Sequence, residues 1–160
     1  MEGNREKLSK DFYIVKDGKP AASIVVRSGA SQKVMEAAKD LQNIIQKMSG
    51  AKLPICDDAF RVQGNKILIG PSGYTRIRNY QFPSSKGEWC RLLRDGDILL
   101  LAGNDDGCYT GSQFAVTMLL ERLGCGWFGP DELWQVIPEK DTITIGYLDV
   151  LHYPQFSCRL

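Results

Sequence analysis

Between Ser31 and Gly50 the apolar positions recur with the period of a helix. Val34, Ala37, Ala38, Leu41, Ile45 and Met48 fall at i, i+3, i+4, i+7, i+11 and i+14, which lays them along one stripe. Lys33, Glu36, Lys39, Asp40 and Gln46 lie off it. Ser28 or Ser31 supplies an N-cap, and Gly50 is a natural stop. Elsewhere the apolar runs are short and strand-like. Phe12 to Val15 is followed by Asp17-Gly18, a hairpin signal because both central positions of a type I′ turn need positive φ. Ala22 to Val26 then reads as the returning strand. Leu53-Pro54-Ile55 is a short extended piece whose proline favours an edge. Lys66 to Ile69 reads as a buried strand.

The stretch from Gly70 to Lys86 is rich in Gly, Pro, Ser and Tyr and reads as a long loop. Trp89 to Arg94 and Asp97 to Ala102 form a second hairpin around Asp95-Gly96. Ile98 to Leu101 is apolar on both faces, as a central covered strand requires. Asn104-Asp105-Asp106 caps a second helix over 107–123, with Gly111, Ala115, Met118, Leu119 and Arg122 on one face. Its small residues predict a close approach of helix to sheet. Short strands near 134–137 and 142–145 complete the pattern. The order of elements predicts an α+β fold, a two-layer sandwich in which two main helices pack on a mixed β-sheet. Residues 1–11 read as a disordered or added tail, 12–148 as the domain, and 149–160 as a trailing linker.

Composition changes this picture little. The 160 residues are 43% hydrophobic and 24% charged, which suits one globular domain. A net charge of +1 gives no electrostatic footprint for nucleic acid or an anionic membrane. No apolar run approaches the ~20 residues of a membrane span. The start of the chain is polar and carries no export signal, so the expectation is a cytoplasmic protein or one whose signal lies outside this sequence. The five cysteines lack metal or redox spacing. Cys108 and Cys125, at opposite ends of a predicted helix, are separated by more than ~20 Å, beyond disulfide reach. All five read as buried small hydrophobes.

Candidate chemistry is sparse. Gly70-Pro71-Ser72-Gly73 follows a strand but lacks the Lys-Ser/Thr of a phosphate loop. It reads instead as a loop needing special backbone angles. Asn104-Asp105-Asp106-Gly107 resembles a calcium-loop fragment, yet the position for the closing glutamate is Ala115. Helix capping explains these acids. Asp131-Glu132 is a carboxylate pair in a solvated turn, with nothing to seat a sugar between the two acids. His152, the only histidine, lies in the trailing segment without a visible nucleophile. The chain therefore presents no catalytic, cofactor-binding or metal-binding residues. Trp127 and Phe128 sit in a glycine-bracketed turn and read either as a domain-interface anchor or as local core, with direct sugar contact a third option. Trp89, Tyr74 and Tyr80 are further aromatics in or near loops.

A resemblance rests on several of these segments in order. The helix ending in Ser49-Gly50-Ala51-Lys52-Leu53-Pro54-Ile55, followed by Lys66 to Gly70, is similar to the N-terminal domain of α-glucuronidases and β-N-acetylhexosaminidases. Leu100 to Gly111 resembles that family's strand, glycine turn and tyrosine-containing helix. Leu119 to Pro130, with Ile137-Pro138, resembles its helix end. Pro154 to Arg159 resembles its link into a catalytic barrel. The match covers residues 12–159.

The resemblance implies a non-catalytic accessory domain of a glycoside hydrolase. Such a domain packs against a C-terminal catalytic (β/α)₈ barrel that this chain does not contain. It further implies a role in glycan breakdown, no cofactor, and a parent protein exported to the periplasm or beyond the cell. Trp127, Phe128 and Arg159 are then the candidate interdomain or glycan contacts. The alternative is an autonomous carbohydrate-binding module that uses exposed aromatics such as Trp127 or Tyr74.

Overall fold

A computed structural model describes residues 11–84, 86–129 and 131–154. Its centre is a six-stranded mixed sheet. The strands are β3 (Ala22–Val26), β4 (Ile55–Asp57), β5 (Asn65–Ile69), β6 (Cys90–Asp95), β7 (Ile98–Gly103) and β11 (Asp149–His152), in the order β11-β6-β7-β5-β3-β4. The last four in this order run parallel, whereas β6 and β11 run antiparallel to their neighbours. A smaller sheet joins β1 (Phe12–Lys16), β2 (Lys19–Pro20) and β10 (Ile143–Ile145). A two-stranded ribbon pairs β8 (Gly126–Trp127) with β9 (Gln135–Val136). Two long helices, α1 (Gln32–Ser49) and α3 (Gly111–Arg122), pack on the main sheet and on each other. This is the expected α+β fold with a mixed sheet.

Helix α1 forms where its apolar period places it. The Ser31 hydroxyl accepts from the Val34 amide, and Gly50 closes the helix with φ of 78°. Its buried residues are the six of the predicted stripe. They meet Ile24, Val26, Ile67, Ile69, Leu99 and Leu101 from alternate positions of the parallel strands. The intervening Val25, Leu68, Leu100 and Ala102 face the other side. There the loop between β5 and β6 covers them with Tyr74, Tyr80 and Phe82. Burial on both faces is why these strands read as continuous apolar runs.

Four sequence expectations change. Asp17 and Gly18 do form a turn with φ of 51° and 73°. Yet only Lys19 and Pro20 return against β1, while Ala22–Val26 departs into the main sheet to pair in parallel with β4 and β5. A strand apolar on both faces buries more there than at a two-stranded edge. Within the expected long loop, α2 (Gly73–Ile77) forms a single short helix. Thr75 Oγ1 accepts from the Ser72 amide at 3.0 Å and secures its start. The second long helix begins at Gly111, not 107, and buries Gly111, Ser112, Ala115, Val116, Leu119 and Leu120, leaving Arg122 exposed. Finally, residues 149–152, expected in a linker, form the edge strand β11 against β6. Val150 packs on the core, and Arg91 pairs with Asp149 at 2.8 Å. The domain thus extends past residue 148.

Among the described residues no helix is long and apolar enough to cross a membrane.

Candidate functional site

Open sheets with parallel strands bind ligands outside the carboxyl ends of those strands, where the chain switches direction. Here β3 leads through α1 to β4 on one side, and the chain then crosses to β5 on the other. The switch point therefore lies between β3 and β5. A crevice of about 540 Å³ opens there, lined by Arg27, Ser31, Pro71, Phe82, Trp89 and Asp105 among others.

Asp58, Asp105 and the Asn104 amide around this rim are already engaged by protein. Asp58 accepts from the Ser28 amide at 2.8 Å and the Gly73 amide at 2.7 Å, so it straps the loop after β3 to the loop after β5. The Gly73 amide, above all, holds the Asp58 carboxyl below its ordinary value; Ser28, Arg27 and Arg76 act the same way. Asp105 accepts the Ser112 amide at 3.0 Å and the Ser112 hydroxyl at 2.7 Å. It thereby caps α3 from a distance, in line with the capping role read from the sequence. The Asn104 side chain accepts from the Asp106 amide and donates to the Gly87 carbonyl. Gly70 has φ of 74°, the special backbone angle its loop was expected to need.

The remaining sequence candidates have local duties. His152 is half-buried and stacks on Phe114 with ring centres 5.5 Å apart. Tyr74 accepts the Val62 amide at 2.9 Å, Tyr80 donates to Asp95 at 2.8 Å, and Trp89 is buried against Phe82. Desolvation, and then the Asp95 bond, push the Tyr80 hydroxyl well above its ordinary value. Tyr74 is thus a core-side residue and not a free platform for sugar. Asp131 sits in a turn, its carbonyl accepting from the Trp134 amide at 3.0 Å. Burial pushes the Cys90 thiol up to about 12, followed by the charge of Glu88, so it packs as an inert hydrophobe. Cys108, by contrast, is disulfide-bonded, which corrects its reading as a buried thiol. Arg159 lies outside the described residues.

Trp127 and Phe128 are separated by the structure. Trp127 is the last residue of β8, whereas Phe128 follows it, its amide donating to the Trp134 carbonyl at 2.9 Å. Phe128 is 75% exposed and its ring lies over Gly126, where a Cβ would sit 2.8 Å from Cε2. Trp134 lies over Gly129 in the same way and is 55% exposed. With Leu133, 94% exposed, they form an apolar display held in place by its own glycines. Trp127 is 37% exposed and instead closes one end of a second hollow, a groove of about 520 Å³ between α1 and α3. Sequence reasoning missed this groove, because its walls come from helices far apart in the chain.

The fold and these sites define a class: an α+β domain whose strand-end rim is largely bonded to itself, with an apolar ribbon on its surface. No family model matches the chain, and no curated protein does. Among solved structures it is similar to a family GH115 4-O-methyl-alpha-glucuronidase with specificity for decorated arabinogalactans. The TM-score is 0.67 at 21% sequence identity, over 92% of this chain and 19% of that one. The chain thus shares its fold with part of an α-glucuronidase, as the sequence resemblance implied, and spans about a fifth of that enzyme's length.

Proposed function

We propose that this chain is a non-catalytic accessory domain of a glycan-degrading glycoside hydrolase, packing against and supporting a catalytic (β/α)₈ barrel in the same polypeptide. The observation that carries this reading is the fold match. It takes in nearly all of this chain but only 19% of an α-glucuronidase. Supporting it, two acids of the strand-end rim, Asp58 and Asp105, are spent on holding loop and helix ends. The exposed Phe128, Leu133 and Trp134 suit burial against a neighbouring domain. The disulfide at Cys108 favours an oxidising compartment, hence an exported parent.

The reading is tested by assaying the purified chain on a panel of aryl-α- and aryl-β-glycosides. No turnover is expected. Hydrolysis that persists through repurification overturns the proposal.

A further inference from the structure

We propose that the groove between α1 and α3, closed by Trp127, is a binding site for a neutral oligosaccharide. Along α1, Asp40, Asn43 and Lys47 follow one another at i, i+3 and i+7 and form one wall. Along α3, Gln113, Thr117 and Glu121 follow at i, i+4 and i+8 and form the other. At helical rise these walls run for roughly 10–12 Å. Ile44 and Leu120 make an apolar floor, and Trp127 stands at one end with its paired neighbour Gln135.

This is the chemistry a sugar chain presents. Sugar rings carry apolar C–H faces that stack on an indole, and a rim of hydroxyls that both donate and accept. The amides of Asn43, Gln113 and Gln135 serve both roles. The volume lies within the range of small-ligand clefts. Two carboxylates, Asp40 and Glu121, face one ammonium, Lys47, so the groove disfavours an anionic chain.

The walls are also fixed in advance. Burial raises the Asp40 carboxyl, and the Gln113 side chain across from it on α3 works against that rise. Beyond one end, Lys33 on α1 donates to the carbonyls of Asp105, Gly107 and Tyr109 in the loop that leads into α3. At the other, Lys140 takes the Met48 carbonyl with its amide and the Leu123 carbonyl with its ammonium. Little ordering remains for a ligand to impose.

The choice of a sugar over another neutral polyol rests on the proposed role in glycan breakdown. The site itself does not depend on a barrel being present. It is tested by calorimetric titration of the intact chain with short neutral galacto-, arabino- and xylo-oligosaccharides, with oligogalacturonate as the acidic control. At least one neutral glycan is expected to bind. Trp127→Ala should weaken binding by about tenfold or more. Asn43→Ala, at an exposed helix position that leaves folding intact, should weaken it by about threefold or more. Three results overturn the site: no neutral glycan binding at millimolar concentration, binding unchanged in both variants, or equal binding of the acidic oligomer. None of them touches the accessory-domain reading, which fails instead on turnover.

Discussion

Gly103, at the end of β7, and Gly111, at the start of α3, meet backbone to backbone. A Cβ on Gly103 would lie 2.4 Å from the Gly111 Cα, and a Cβ on Gly111 would lie 2.5 Å from the Trp89 carbonyl oxygen. No side chain is available to give way at either place. Gly103→Ala and Gly111→Ala should therefore each cost roughly 2–4 kcal/mol. Gly146→Ala, where a Cβ meets nothing within 4 Å, should stay within about 0.5 kcal/mol of the parent. Urea unfolding of the three variants checks this contrast.

Asp58 makes stability depend on pH. Its folded carboxyl is held below the ordinary 3.8, chiefly by the Gly73 amide. A depressed carboxyl contributes stability above its unfolded value and loses it as pH falls through the folded one. The parent chain should thus lose this strap below about pH 4. Asp58→Ala should cost about 2 kcal/mol at neutral pH and flatten the acid limb. Unfolding midpoints at pH 7 and pH 3 test this; equal midpoint losses in parent and variant would exclude a charged strap.

Lys33 satisfies three carbonyls of the loop that enters α3. Lys33→Met keeps much of the stem and removes the donors. The expected cost is about 1–3 kcal/mol, and amide exchange at Tyr109 and Ser112 should quicken. Exchange unchanged at both amides would show that the loop holds itself.

Phe128 and Leu133 contribute little to this domain's own stability if their apolar surface belongs to an interface. Phe128→Ser and Leu133→Ser should each shift unfolding by less than about 0.5 kcal/mol. A loss of several times that amount, seen by thermal melting, would place them in the local core instead.

Much of the fold was legible because burial imposes a period. The stripe from Val34 to Met48, its Ser31 cap and its Gly50 stop appear in the structure as the residue pattern required. Pairing was harder to read. The turn at Asp17-Gly18 suggested that Ala22–Val26 returns along β1, although its apolar residues on both faces already marked a central strand. Strand β11 was hidden because only Val150 and His152 turn inward, as an edge strand permits. Of the candidate site, Trp127 was visible as a conspicuous aromatic. Its groove was not, because its two walls come together only once α1 and α3 lie side by side.

The central claim concerns what covers the ribbon of residues 126–136. Hydrogen exchange of that segment, measured in this chain alone and in the longer polypeptide to which we assign it, tests the claim most directly. Burial of Phe128, Leu133 and Trp134 against a barrel predicts exchange slowed by about tenfold or more in the longer protein. Equal rates in the two would contradict docking through this surface.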